Sequence, residues 1–194
     1  MTVRILRARD HRSMPWKNGG GVTTEIAAFP EGSDLETFEW RVSMARVEND
    51  GPFSTFEGID RTLVVLEGNG IDLAIDDRQP VLLRCGSTPF AFPADAPTKG
   101  RLANGPILDL NVMARHGKID ATVERAIQTD FDMPAPGDWT LLFVSRGQVD
   151  VTRRDFEARL GDRDCLVLSD PGSTFAVSGP PDAEVFVIRL TRTN

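Results

Sequence analysis

The chain repeats itself, and what repeats is a set of strands. Thr62-Leu-Val-Val-Leu66 and Ile71-Asp-Leu73 recur at one constant offset as Thr140-Leu-Leu-Phe-Val144 and Val149-Asp-Val151. Gly86-Ser-Thr-Pro-Phe-Ala-Phe92 is echoed by Gly172-Ser-Thr-Phe-Ala-Val177 at a wider offset, with one proline dropped. Each half closes on an alternating run, Ile107-Leu-Asp-Leu-Asn-Val-Met113 and Val185-Phe-Val-Ile-Arg-Leu190. Short strands separated by Gly, Pro, Asn and Asp turns, with little helical periodicity, indicate an all-β sandwich or barrel, here in two copies. Residues 1–117 are expected to form the first half and residues 118–194 the second, in one compact unit because no linker divides them. Ile119-Asp-Ala-Thr-Val-Glu-Arg-Ala-Ile127 fits a strand by alternation or a short helix through Val123 and Ile127, and we read it as a strand.

The segment Met14-Pro-Trp-Lys-Asn-Gly-Gly-Gly-Val-Thr-Thr-Glu-Ile26 interrupts this pattern with three consecutive glycines. Residues without a Cβ allow positive φ and close approach, at roughly 1 kcal/mol each against alanine. Asn18-Gly19 alone reads as a hairpin turn, and the run as a turn or the wall of a site. Downstream lie Trp40-Arg-Val-Ser-Met-Ala-Arg-Val47, Gly51-Pro-Phe-Ser-Thr-Phe-Glu-Gly-Ile-Asp-Arg61 and Leu108-Asp-Leu-Asn-Val-Met-Ala-Arg115. In this order the four blocks resemble the HutD/Ves family over residues 14–115, a little over half of the chain. The resemblance implies a cupin-like β fold, association with bacterial histidine degradation and no settled enzymatic activity. The run from Leu160 to Ser173, a Gly-Asp turn, a strand and a Pro-Gly turn, also resembles the second half of a cupin. The expected architecture is therefore a bicupin of the RmlC-like jelly-roll type.

The formal net charge of −7 argues against a nucleic-acid partner, which needs clustered Lys and Arg. Charges break every apolar run near the N-terminus, so neither a signal peptide nor a membrane span is expected and the location is read as cytoplasmic. Cys85 and Cys165 lack CxxC spacing and are read as reduced thiols in apolar strands. Edge strands of cupin-like sheets commonly pair, which allows a homodimer.

Catalytic cupins hold a metal with several histidines, but this chain has two in total, His11 and His116, far apart. His116 could at most join Glu25 or Asp109 around an ion, so no metal and no cofactor are expected. GxSxG, P-loop and GxGxxG signatures are absent.

Alternation shows which polar groups can converge. Arg41 and Ser43 share one face of their strand. Asp109, Asn111 and Met113 share one face of another, and Thr23 and Glu25 oppose Val22, Thr24 and Ile26. Such stripes can face the lumen of a cupin-like barrel and orient a small ligand. Arg41 and Arg61 each need an anion, either a protein acid such as Glu25 or Asp109 or a ligand carboxylate held by the guanidinium fork. Lys17, Asn18 and Gly20 could form an anion-binding nest, or Lys17 could be solvated. Thr24, Ser43 and Asn111 are candidate orienters, Phe53 and Phe56 are read as loop anchors, and Trp16 and Trp40 as core.

Two functions follow. The first, implied by the resemblance, is a metal-free protein that binds a small carboxylate of histidine breakdown, urocanate or N-formylglutamate, and modulates the pathway. The alternative is a metal-independent isomerase or hydrolase using Glu25 as general acid or base. A protein-interaction module with a vestigial pocket is a third, blander reading.

Overall fold

The computed structural model describes residues 2–17, 19–126, 128–169 and 171–193. Its strands are β1 (Thr2–Leu6), β2 (Arg12–Pro15), β3 (Gly21–Phe29), β4 (Trp40–Val47), β5 (Gly51–Pro52), β6 (Ile59–Glu67) and β7 (Ile71–Ile75). There follow β8 (Val81–Leu83), β9 (Phe90–Pro93), β10 (Thr98–Leu102), β11 (Ile107–Arg115), β12 (Ile119–Arg125) and β13 (Phe131–Ala135). The last are β14 (Trp139–Arg146), β15 (Val149–Arg153), β16 (Phe156–Leu160), β17 (Cys165–Ser169), β18 (Ser173–Ser178) and β19 (Glu184–Arg192). Among the described residues one 3-10 turn, Ala8–Asp10, is the whole of the helix, and none is long and apolar enough to cross a membrane.

The fold is all-β and duplicated. Residues 12–118 form one compact unit, and residues 1–11 with 119–194 form the other. In the first, a six-stranded sheet runs β2-β3-β4-β11-β6-β9 and a four-stranded one β5-β10-β7-β8. In the second, the orders are β1-β17-β14-β19-β12 and β13-β18-β15-β16. Substituting β12 for β4, and so on in sequence to β19 for β11, turns one pattern into the other. Beyond this shared set of eight strands, the first unit adds β2 and β3 beside β4, and the second adds β1 beside β17.

Antiparallel pairing, with apolar residues at every second position on the inner faces, closes each unit on its own core. Ala45, Leu63, Val65 and Ile107 from one sheet of the first unit meet Ile71, Leu73, Ile75 and Leu83 from the other. The second unit packs Leu142, Val144, Val185 and Val187 against Val149, Val151, Phe175 and Val177.

The topology corrects three sequence readings. First, Thr2–Leu6 does not belong with the N-terminal half, because β1 pairs with β17 throughout its length. Second, the echo of Gly86–Phe92 in Gly172–Val177 is not an equivalence: Phe90 and Phe92 lie on β9, paired with β6, whereas Phe175 and Val177 lie on β18, paired with β13 and β15. The equivalent of β9 is β17. Third, Thr62–Leu66 and Thr140–Val144 align one residue out of register. Leu63 and Val65 face one core while Leu142 and Val144 face the other, and a one-residue slip exchanges the faces of a strand. The segment after Lys118 is a strand, as read, through Arg125; Ile127 lies outside the described residues. Cys165 is buried in β17, but Cys85 is exposed in a turn after β8 and not in an apolar strand.

Candidate functional site

Hydrogen-bond register assembles the polar residues of the first unit. Across β3, β4, β11 and β6, Glu25 lies opposite Ser43, Ser43 opposite Asn111, and Asn111 opposite Leu63. One row along, Arg41 lies opposite Met113, and Met113 opposite Arg61. In the other direction Ala45 lies opposite Asp109, and Asp109 opposite Val65. Residues directly opposite one another share a face, so these side chains point with Ala45, Leu63 and Val65 into the space between the sheets. Two register shifts adjoin the group, one between Glu25 and Ala27 and one between Leu108 and Asp109. A bulge re-aims the side chains beside it, and such bulges concentrate at functional sites.

The two arginines differ in their partners. Arg41, 4% exposed, donates from Nε to Glu25 Oε2 at 2.7 Å and from an Nη to Ser43 Oγ at 3.4 Å. The ion-pair alternative therefore holds for Arg41. Arg61, 5% exposed, donates to no protein acceptor among the described residues, and its Nε is buried without a partner. Its guanidinium carbon lies 5.4 Å from the centre of the Phe53 ring, 5.4 Å from Phe56 and 5.9 Å from Phe92. Each cation–π contact contributes about 1 kcal/mol, while burial of a charge costs several, so the aromatic walls do not by themselves offset desolvation. Burial draws the Arg61 pKa down to about 10, opposed by the charge of Asp109 and assisted by that of Arg41.

Asp109 is the other unsatisfied member. It is fully buried, its Oδ1 accepts a hydrogen bond from the Asn111 amide, and its Oδ2 has no partner. Burial pushes its pKa up to about 7, against the opposing effects of Arg61, the Asn111 amide and the Ala45 backbone N–H. Asp109 and Arg61 feel one another's charge, yet no direct ion pair joins them. Met113 packs with Phe38, Ile59 and Ala94, next to Phe56.

The structure thus brings together Glu25, Arg41, Ser43, Arg61, Asn111 and Met113 and leaves three candidates apart. Thr24 lies opposite Met44 on the reverse face, its hydroxyl 2.9 Å from that of Ser13. Lys17 is exposed, and the Gly20 carbonyl accepts the Glu48 backbone N–H. Asn18 lies outside the described residues. The glycine run serves the β2–β3 hairpin: Gly19 has φ +70°, and Trp16 N–H donates to the Gly21 carbonyl. His116 stands exposed after β11, with Nδ1 2.9 Å from Asp60 Oδ2, a bond that raises its pKa. A shallow depression of about 510 Å³, lined by Asp72, Lys99 and Arg101 among others, shares none of the site residues.

A family model for HutD matches residues 8–186. The chain belongs to the HutD family. An uncharacterised 21.2 kDa protein from the region 3′ of hutC in Pseudomonas putida is 36% identical over 167 residues, 86% of each chain. HutD from Pseudomonas fluorescens, solved in a formate condition, is 32% identical and superposes with a TM-score of 0.87 over 100% of both chains. A protein of unknown function from Pseudomonas aeruginosa is 32% identical, with a TM-score of 0.90 over 98% of this chain and 100% of that one. AerE from Microcystis aeruginosa (9% identical, TM-score 0.65, 95% and 97% covered) and the Escherichia coli pirin YhhW in complex with nickel(II) (10%, 0.64, 96% and 98%) share the cupin fold alone.

Sequence reasoning about this HutD family member missed the walls of its site. Phe53 and Phe56, read as loop anchors, and Phe92 enclose Arg61. Asp109 was visible on the correct face but entered only as a partner for an arginine or, with His116, for an ion. The available signal was its position between Leu108 and Leu110 in a strand whose neighbours are buried.

Proposed function

We propose that this HutD family member is a metal-free binding protein for a small carboxylate, with Arg61 as its principal donor. One observation carries the reading: a buried guanidinium, walled by three aromatic rings, that no protein acceptor among the described residues answers. An Arg fork suits a carboxylate geometrically, and a desolvated pocket strengthens the contact. Arg41, held by Glu25 and Ser43, supplies a second positive charge, and Asn111 a polar neighbour. The association of HutD with histidine utilisation points to urocanate or N-formylglutamate as ligand, in the cytoplasm, with modulation of that pathway as the outcome. The solution of the Pseudomonas fluorescens relative in a formate condition agrees with a carboxylate site.

The test is thermal unfolding of the metal-stripped protein with urocanate, N-formylglutamate, glutamate, histidine and formate, each mixture followed by NMR. A ligand at a hundredfold over its Kd stabilises by about 2.7 kcal/mol, a clear shift in Tm. A shift without conversion is expected from one of the carboxylates, and an absence of any shift sinks the reading. The alternative of acid–base catalysis keeps one support, since Glu25, with its side chain 24% exposed, is the site carboxylate that reaches solvent. Conversion that is lost in Glu25→Gln would establish it.

A further inference from the structure

We infer that Asp109 is a ligand-binding residue and that a carboxylate enters this site together with one proton, shared between the ligand and Asp109 Oδ2. This rests on the carboxylate-binding reading and extends it. A carboxylate that accepts hydrogen bonds from Arg61 comes within reach of the charge of Asp109, which Arg61 itself feels and whose Oδ2 has no donor of its own among the described residues. Two carboxylates in one dry site do not both stay ionised.

The surrounding charges do not relieve the conflict. On β11 itself, Asn111 supplies a neutral amide to Oδ1. From β4 come the Ala45 backbone N–H and Arg41, the latter already matched by Glu25 on β3. From β6 comes Arg61, one positive charge against two negative ones. The facing sheet contributes the apolar side chains of Ile71, Leu73, Ile75 and Leu83. Protonation of Asp109 restores the balance and turns Oδ2 from a repelling acceptor into a donor. Burial has already pushed the Asp109 pKa to about 7, so the proton is available at neutral pH. The corresponding position of the second unit, next to the matching register shift, is Val185, buried in its core, so the fold does not require an acid here.

The linkage has a definite sign. An anion bound beside Asp109 raises its pKa further, so binding takes up no proton where Asp109 is already protonated and nearly one where it is ionised. From pH 6 to pH 8 the affinity should fall about tenfold. The experiment is calorimetric titration of the full chain with formate and with acetate between pH 6 and pH 8, in buffer pairs of different ionisation enthalpy. Uptake near zero at pH 6, near one at pH 8, and a tenfold loss of affinity are expected. Asp109→Asn should bind with neither proton uptake nor pH dependence, and the wild-type uptake decides the matter even if that variant does not fold. Binding without uptake, or an unchanged pH slope in Asp109→Asn, overturns the role of Asp109 and leaves the carboxylate reading standing. No binding of either anion at any pH overturns both.

Discussion

Arg41 and Arg61 project from one row of one sheet face, on either side of Met113, and of the two only Arg41 has a protein acid against its guanidinium among the described residues. A charge kept in such a place works against stability, because desolvation exceeds what ring contacts return. Replacing Arg61 by Met, apolar and adaptable among the three phenylalanines, should leave the urea unfolding free energy unchanged or raise it by about 1 kcal/mol, while carboxylate binding is lost. Asp109 adds a pH dependence of its own. Its pKa in the folded chain, about 7, lies above its ordinary value of 3.8, so the folded state holds the proton more tightly. Its contribution to stability is thus fully present below about pH 4 and is lost as the pH rises through 7. The advantage of Asp109→Asn over wild type should accordingly grow between pH 4 and pH 7 and then level off, measured by urea midpoints. The faces of Arg41, Ser43, Asn111 and Met113 were legible in the sequence because strand alternation is strict over a few residues. The missing partner of Arg61 was not, because an absent contact leaves no mark in composition or spacing.

At the scale of elements, the hairpins and bulges explain where local pattern is sufficient and where it fails. The glycine run, Gly19 to Gly21, reads correctly as a turn leading into a strand, and the reason for its last glycine is packing. A Cβ on Gly21 would lie 2.2 Å from the Arg46 carbonyl oxygen and 3.1 Å from the Trp16 ring. The obstacle is backbone, so β3 and β4 would have to separate at their paired ends. Gly21→Ala should therefore destabilise by about 1–3 kcal/mol in chemical unfolding and move amide signals along both strands. The bulges beside Glu25 and Asp109 were not legible, since one extra residue in a ladder depends on the partner strand and not on the strand's own sequence. The misplaced echo between β9 and β18 has a similar origin: short apolar runs between glycines resemble one another whichever sheet they enter.

For the whole molecule, duplication was legible from strand order, whereas the assignment of the first strand was not. Thr2–Leu6 has no counterpart in the repeated set and pairs with a partner almost a full chain length away. Asp164 anchors the end of this excursion, accepting hydrogen bonds from Arg7 Nη1 at 2.7 Å, Ala8 N–H at 2.9 Å and Gly161 N–H at 3.0 Å. Asp164→Ala should cost about 2 kcal/mol of stability and release the amide-exchange protection of Thr2–Leu6, while leaving that of β4, β6 and β11 unchanged. Carboxylate affinity should be unaffected, because every site residue belongs to residues 12–118. The same excursion governs how the chain is made. A ribosome delivers β1 long before β17, so a nascent polypeptide halted anywhere between them carries a strand that lacks its partner. The emergence of β17 is thus itself a folding step, and a product terminated before it advertises its incompleteness far upstream of the break, at β1.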